Sequence, residues 1–405
     1  MTAMRRGAEE RRNQRNALLA GFLGWTLDAF DFFILVMVLD AVATEFGRTR
    51  PDIALTLTAS LAMRPLGALL FGIMADRYGR RLPLMLDLIF YSVIEVLSGL
   101  APSYTTFLIL RLLFGIGMGG EWGVGASLAM ESVPAKWRGV LSGVLQEGYA
   151  FGYLLAALAY FVVFPRYGWR TMFFIGGLPA LLSLFVRARV KESAAWHEQR
   201  MAEWRSYVRA IVMHWRRFAY LVVLMAMMNL MSHGTQDMYP TFLQHQRQLS
   251  PQQAALVTIV AMVGAVIGGV LFGLLSDRFG RRRAMVTAAL GGVLVVPLWV
   301  FAPSTLLIVA GAFVMQFMVQ GAWGVIPAHL NELSPGALRG FFPGFAYQLG
   351  VLAASSITYI EAVLGEHFTY AQSMGLLAAG VLAGGAAVIA LGPEARGVSF
   401  RKSAG

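Results

Sequence analysis

Apolar residues in this chain come in long runs, each of about 20 positions, separated by short stretches rich in Arg, Pro and Gly. Wound as helix, such a run matches the roughly 30 Å hydrocarbon core of a bilayer, so each predicts a membrane span. Twelve are expected, near 17–40, 53–75, 83–101, 105–131, 138–163, 170–190, 218–242, 252–275, 284–302, 304–330, 340–363 and 369–391. The predicted class is an all-α membrane protein. One run carries a polar face. Asn229, Ser232, His233, Gln236 and Asp237 fall at offsets 0, 3, 4, 7 and 8 and share one side of a helix. Ionisable groups at that depth are costly, so a solute or proton path is the default reading. For His233 the plainer alternative is a neutral packing histidine.

Composition agrees with a lipid setting: 57% of residues are hydrophobic and 14% charged, against roughly a quarter charged in ordinary globular proteins. The net charge of +11 reads as topology. With both termini cytoplasmic, the inside segments hold 26 of the 33 basic residues. The outside loops hold Arg48, Arg50, Arg166, Arg170 and Arg247, and Arg64 and Arg111 lie within spans. Charges scattered over short loops do not form a nucleic-acid surface, so no nucleic-acid partner is expected. Arg5, Arg6, Arg11, Arg12 and Arg15 precede the first apolar run, but that run is long and lacks an evident small-residue cleavage site. It reads as a retained span. There is no cysteine, which excludes disulfides, thiolate metal sites and cysteine catalysis; with the histidines dispersed, no metal site is expected.

An internal repeat organises the chain. Gly72-Ile-Met-Ala-Asp76-Arg77-Tyr-Gly79-Arg80-Arg81 recurs as Gly273-Leu-Leu-Ser-Asp277-Arg278-Phe-Gly280-Arg281-Arg282, displaced by 201 positions. Glu131…Arg138-Gly139 matches Glu332…Arg339-Gly340, and Trp122-Gly123-Val124 matches Trp323-Gly324-Val325. Two six-span halves are a recurrent transporter plan with a substrate site between them at mid-membrane. The expected organisation is a tail (1–16), a first half (17–190), a polar linker (191–217), a second half (218–391) and a second tail (392–405). The repeated decapeptide resembles the G-x-x-x-D-R-x-G-R-R signature of the major facilitator superfamily, and the resemblance covers nearly the whole chain. It implies that Asp76, Arg77, Asp277 and Arg278 latch a cytoplasmic gate, joined by Glu131, Arg138, Glu332 and Arg339; the alternative is that they are positive-inside anchors.

Residues whose counterpart 201 positions away has the same character serve the common scaffold. Polar residues opposite an apolar or neutral counterpart are candidates for specific function. Asp28 faces Asn229, Asp31 faces Ser232, Arg64 faces Ala265, Arg111 faces Ala312 and Glu121 faces Ala322, while His233, Gln236 and Asp237 face Phe32, Leu35 and Val36. Asp28 and Asp31 share a face and are expected to approach the Asn229 stripe across a central cavity. A desolvated carboxylate can bind a proton near neutrality, so Asp28, Asp31, Glu121, His233 and Asp237 are proton-coupling candidates; a hydrogen-bonded structural pair is the alternative for Asp28 and Asp31. Arg64 cannot shed its charge, and its planar fork matches a carboxylate. It is the candidate anion receptor, or else an ion-pair partner of Asp28, Asp31 or Glu121. Arg111 resembles the family's R-x-x-x-G element. Tyr347 and Gln348 join Arg64, Asn229, His233 and Gln236 as substrate-binding candidates, with Glu147, Tyr149, Gln316 and Gln320 as lesser ones.

No Gly-rich loop ending in Lys-Ser or Lys-Thr is present, so ATP-driven transport has no visible motor, and no catalytic constellation or cofactor motif emerges. The stretch from Asn229 to Thr241 resembles the N-x-x-[S/T]-H-x-[S/T]-Q-D-x-x-x-T motif of Jen-type monocarboxylate/proton symporters. Gly24-Trp25-Thr26-Leu27-Asp28-Ala29-Phe30-Asp31 looks like the sialate/proton symporter family that contains them. Arg64-Pro65 and Gly119-Gly120-Glu121-Trp122 look like the broader metabolite/proton symporters. This resemblance implies import of lactate or pyruvate with a proton. Sialate, aromatic acids and dicarboxylates are the rival substrates; a proton-antiporting exporter or a non-transporting sensor are the rival classes. The sialate branch is described with two extra central spans, absent from 190–217. Short loops suggest a bacterial inner membrane, and monomer is the family default.

Overall fold

Several helices of this chain start and stop at sequence punctuation. In the computed structural model, which describes residues 2–201, 203–355, 357, 360, 364 and 367–400, the first half comprises α1 (Thr2–Glu45), α2 (Arg50–Tyr78), α3 (Arg81–Gly99), α4 (Tyr104–Ser132), α5 (Arg138–Gln146), α6 (Gly148–Ile175) and α7 (Pro179–Arg189). The second comprises α10 (Trp215–Gln236), α11 (Tyr239–His245), α12 (Pro251–Phe279), α13 (Arg281–Val300), α14 (Thr305–Leu333), α15 (Phe342–Ala354) and α16 (Tyr370–Leu391). Capping boxes built by Thr49 with Asp52 and by Ser250 with Gln253 open α2 and α12, which are repeat counterparts. Both end at a glycine with positive φ, Gly79 (99°) and Gly280 (103°), a conformation that L side chains rarely adopt.

Among the described residues, ten helical stretches are long and apolar enough to cross a membrane. One of them, Ala135–Arg189, contains both spans expected at 138–163 and 170–190, divided by Pro165 and by Gly168 at φ 74°. Phe342–Ala354 supplies a shorter apolar helix. Much of the remainder of the span expected at 340–363 lies outside the described residues, as do the last five residues of the 392–405 tail. Large apolar side chains such as Phe161, Leu294 and Leu306 are more than three-quarters exposed on the outer surface, which suits lipid rather than water as the solvent.

The two halves pack alike. In the first, α2 lies on α4, α1 on α6, and α3 on α4 and α7; in the second, α12 lies on α14, α10 on α15, and α13 on α14 and α16. The halves meet where α5 crosses α12 and α14, and where α15 crosses α2 and α4. The polar stretch between them is helical in part, as α8 (Ala194–Gln199) and α9 (Trp204–Met213). It is anchored beneath the first signature: Trp196 Nε1 donates to the Asp76 carbonyl at 2.7 Å and the Tyr207 hydroxyl to the Asp76 carboxylate at 3.0 Å.

The span expected at 218–242 is broken. The α10 helix ends at Gln236 and α11 begins at Tyr239. Pro240 explains the break, because it has no N–H for the Gln236 carbonyl and its ring would collide with that oxygen. The polar stripe therefore occupies the last two turns of a helix.

Candidate functional site

Arg64 sits 14 residues into the 29-residue α2, mid-span, and is 6% exposed. A Cβ at Gly119 would collide with the Arg64 backbone, so glycine there lets α2 and α4 touch at this level. Arg64 Nη2 lies 3.8 Å from Asp28, beyond hydrogen-bond length, and among the described residues both Nε and Nη2 are buried without a hydrogen-bond partner. Glu121 reaches the same level from α4, packing against Gly24 of α1, and neither of its carboxylate oxygens is hydrogen-bonded among the described residues.

Aromatic rings from both halves gather beside this group. Trp122 stacks on Tyr347 with centroids 4.6 Å apart, Trp25 stacks on Tyr149 at 5.6 Å, and Trp25 and Trp323 meet Tyr347 edge-on at 6.3 and 6.0 Å. Among the described residues, the indole N–H groups of Trp25 and Trp323 and both polar atoms of the Gln348 amide are buried without partners. A buried donor left without an acceptor costs about 1–3 kcal/mol. Guanidinium, indole and amide donors gathered at one level can therefore gain from an anion with an apolar or planar body. Tyr149, 41% exposed, packs on Trp25 and meets Phe33 edge-on at 5.3 Å.

The predicted stripe divides. Asn229 is buried and donates to the Met225 carbonyl of its own helix at 2.8 Å. Gln236 reaches Gln316 at 2.9 Å and Ser232 at 3.2 Å. His233 Nδ1 pairs with Asp237 at 3.1 Å, and both side chains are over a third exposed. Asp28 and Asp31 do not jointly face this stripe, contrary to expectation. Three residues advance a helix about 300°, so their directions differ by about 60°: Asp28 stays by Arg64, while Asp31 turns into the first half, where it and Glu95 crowd Gly176. Glu147, 6% exposed, packs against Gly269 of the second half, and Gln316 is buried while Gln320 is half-buried. Arg111 is spoken for: Nη2 binds Glu95 at 2.6 Å and also Ser98, and the guanidinium lies 4.4 Å from the Phe114 ring centre.

A second polar assembly closes the end that carries the signature loops. Asp76 accepts from the Gly340 and Phe341 N–H groups of the other half at 2.6 and 3.2 Å. Asp277 repeats this with Gly139 and Val140 at 2.8 and 3.0 Å. Each signature carboxylate thus sits at the positive end of a helix in the opposite half. Glu131 binds Arg339 at 3.3 Å and Glu332 binds Arg138 at 2.9 Å, so the pairs cross between halves. Arg77 and Arg278 stand outside the network: both are exposed, and Arg77 lies over the Trp204 ring. Their places are taken by Arg80, bonded to Asp76 and Glu131 at 2.7 and 2.9 Å, and by Arg281, bonded to Asp277 and Glu332 at 2.7 and 2.9 Å. Both lie in the signature, four residues after its Asp but across the end of its helix, where the turn at Gly79 or Gly280 brings the arginine back beside that Asp.

Sequence reasoning also missed Glu192 and Glu394, which accept from the first N–H groups of α3 and α13, and Phe400, whose ring lies 3.7 and 3.9 Å from the Arg138 and Arg339 guanidiniums. Burial pushes the Tyr207 phenol up, and the neighbouring Asp76 carboxylate pushes it further, so it remains a donor to that carboxylate.

Comparison with known proteins places this geometry. Residues 17–203 match the family model for sugar (and other) transporters, and residues 237–404 match that of the major facilitator superfamily. A "Probable 4-methylmuconolactone transporter" of Cupriavidus pinatubonensis is 31% identical, over 96% of this chain and 92% of its own. The chain belongs to the major facilitator superfamily. It is a multi-pass membrane transporter and not an enzyme. The sialic acid transporter NanX of Escherichia coli is 30% identical, over 87% of the transporter described here and 88% of its own length. A "Carboxylic acid transporter protein homolog" of Saccharomyces cerevisiae is also 30% identical, over 87% of this transporter, which spans 62% of that longer chain. The solved structure of the proton:xylose symporter XylE has the same fold, with a TM-score of 0.74 at 21% identity, covering 95% of this chain and 97% of the other.

Proposed function

We propose that the transporter imports a small organic anion together with a proton, by alternating access, and that the anion is a monocarboxylate of the lactate or pyruvate kind. The observation that carries this is Arg64, a buried mid-span guanidinium with two nitrogens free of hydrogen bonds among the described residues and Asp28 3.8 Å away. One guanidinium fork serves one carboxylate well. A proton on Asp28, Asp31 or Glu121 releases Arg64 to take the substrate carboxylate, and the substrate in turn holds the proton in place by occupying Arg64. The indole and Gln348 donors, with Tyr347, are assigned to the rest of the anion. Asn229, His233 and Gln236 form the second half's contribution to binding, and His233 with Asp237 a further proton site. One anion with one proton is neutral, which avoids a membrane-potential cost of about 2.3 kcal/mol per charge per 100 mV.

The signature-loop end faces the cytoplasm of a bacterial inner membrane, with both termini inside, as the excess of arginine in those loops favours. The described structure is then closed to the cytoplasm, and loading occurs from the other side. Release follows when the Asp76, Asp277, Glu131–Arg339 and Glu332–Arg138 contacts part and the halves, 17–190 and 218–391, rock about the linker at 191–217. The transporter acts as a monomer. Relatives named for carboxylic acid, sialic acid and 4-methylmuconolactone transport support an organic acid as cargo.

The aromatic wall of Trp25, Trp122, Tyr149 and Tyr347 favours a second reading, a planar unsaturated or aromatic acid whose body stacks on those rings. Counterflow of labelled lactate in proteoliposomes, challenged with unlabelled lactate, pyruvate, benzoate or sialate, tests both. Competition by lactate and pyruvate alone supports the first reading, and tighter competition by benzoate supports the second. Absence of exchange with every carboxylate rejects organic-anion transport.

A further inference from the structure

We propose that α9 docks on the membrane: its outer stripe of Trp204, Val208 and Val212 sits at the acyl boundary of the leaflet beside the signature loops, Arg205 and Arg209 bind the phosphates of anionic lipids, and docking steadies the latch. The last clause rests on the latch reading above.

The helix has two separate faces. Its ten residues run from Trp204 to Met213. Tyr207 and Ala210 are buried against the protein. Trp204, Val208 and Val212 are spaced by four, and at about 100° per residue they form a stripe centred about 100° around the helix from Tyr207. They are 50%, 40% and 64% exposed, so the fold leaves this apolar stripe uncovered. Arg205 and Arg209, also exposed, lie about 80° further round. An apolar stripe bordered by arginines is the pattern of a helix lying in the plane of a membrane surface.

Chain continuity fixes what lies against that stripe. A single residue, His214, separates α9 from the membrane span that begins at Trp215. One end of α9 is therefore held at headgroup level. Trp215 is 59% exposed and Arg216 lies 5.7 Å from its ring centre, an aromatic and basic pair of the kind that marks a membrane–water boundary. At the other end Arg77, in the last turn of the α2 span, lies 5.6 Å from the Trp204 ring centre. With both ends tied to the ends of spans, the helix runs along the membrane surface. Lipid against the stripe removes three large apolar side chains from water.

Charge names the lipid. Between Glu203 and Asp237 the chain has four arginines, Arg205, Arg209, Arg216 and Arg217, and no acidic residue. Arg217 donates to the Leu333 carbonyl, which leaves the other three for phosphates. A leaflet of anionic phospholipid complements this run, because each arginine near its surface gains from the negative potential there. The inner face carries the effect to the latch. Tyr207 donates to the Asp76 carboxylate, which also accepts from the Gly340 and Phe341 N–H groups of the second half. A helix held on the membrane keeps Tyr207 on the carboxylate that joins the halves.

The lack of cysteine makes the test direct. Full-length Val212→Cys and Ser206→Cys, each carrying one fluorophore, are placed in vesicles of phosphatidylcholine alone or of equal parts phosphatidylcholine and phosphatidylglycerol. Ser206 is exposed about 160° round from the stripe. In the mixed vesicles, quenching by nitroxide-bearing lipid should be about threefold or more stronger at the first site than at the second, with quenching by iodide weaker. The contrast should shrink in phosphatidylcholine alone, and in the mixed vesicles when Arg205→Gln and Arg209→Gln are added. Should the label at the first site disturb the helix, Val208→Cys gives the same reading one turn away. Equal quenching at both sites, or the same contrast in both kinds of vesicle, would overturn the docking. Maleimide labelling of Ser142→Cys, buried between the halves, should be about threefold slower in the mixed vesicles, and this lipid effect should vanish with the two arginine substitutions. A labelling rate independent of lipid would overturn the coupling to the latch. Neither measurement uses substrate or a proton gradient, so both outcomes stand apart from the symport reading.

Discussion

Removing the Arg64 guanidinium tests the anion receptor directly. In Arg64→Ala the bound carboxylate loses a cation held 6% exposed in mid-span, where lipid and protein, rather than bulk water, set the dielectric. A hydrogen bond to a charged group contributes about 1.5–3 kcal/mol, and the fork offers two. Part of that gain is already offset in the resting protein by Asp28, 3.8 Å away, which loses this cation in the same variant. The net loss is about 3 kcal/mol, or about a hundredfold in substrate affinity. Arg64→Lys keeps the charge and loses the planar fork, so a loss of about tenfold is expected. The assay is the half-saturating concentration for counterflow, measured beside the melting temperature in detergent so that binding is separated from folding. Asp28→Asn combined with Arg64→Ala removes the orphaned carboxylate, and should recover stability without recovering affinity. An Arg64→Ala protein with wild-type half-saturation would refute the assignment, whatever its stability.

Other outcomes follow from the same geometry. Asp28→Asn or Asp31→Asn should retain counterflow and lose accumulation against a pH gradient; full accumulation in both would move the proton site to Glu121, His233 or Asp237. Asp277→Asn weakens charge-assisted bonds to Gly139, Val140 and Arg281, worth about 2 kcal/mol and so about thirtyfold in the balance between closed and open states. Phe400→Ala, by uncovering Arg138 and Arg339, should act in the same direction. The chain has no cysteine, so maleimide labelling of Ser142→Cys, buried between the halves where its hydroxyl accepts from the Ala328 N–H, reports opening, and unchanged labelling in both variants would contradict the latch. Burial pushes the Glu394 carboxyl up, but the N–H of Arg282, His329 and the N–H of Arg396 outweigh it and hold it below its ordinary value. A carboxyl lowered on folding stabilises above its unfolded pKa of about 4.3 and loses that contribution as pH falls through the folded value. The melting-temperature gap between wild type and Glu394→Gln should therefore close below about pH 4, and a gap independent of pH would reject the assignment.

The fold was legible because lipid imposes a length and a polarity on every span, and because the repeat ties Asp76 to Asp277 and Glu131 to Glu332 at a single displacement. What escaped depended on direction or on distant chain. Asp28 and Asp31 share a face only broadly, and the 60° between them decides which one stays by Arg64. Glu131 lies seven residues from Arg138 in sequence, yet binds Arg339, because the pairing serves closure between halves and not either half alone. Arg80 and Arg281 lie across a helix end from the signature Asp, and only the turn at Gly79 and Gly280 returns them to it. The break after Gln236 was readable from Pro240. Trp25, Trp122 and Trp323 are far apart in sequence and meet only around Tyr347, and Asp87 and Glu95 are single acids in an apolar run whose neighbours come from other helices. Glu192, Glu394 and Phe400 lie in loops or tails, where no periodicity marks a partner.

The central claim, that anion and proton move together, is tested most directly by uptake of labelled lactate or pyruvate into proteoliposomes under an imposed inward proton gradient. The account predicts transient accumulation above equilibrium that collapses with a protonophore, persists when the membrane potential is clamped to zero, and is lost in Arg64→Ala. Uptake that only equilibrates, with the same rate and extent with and without the gradient, would contradict it.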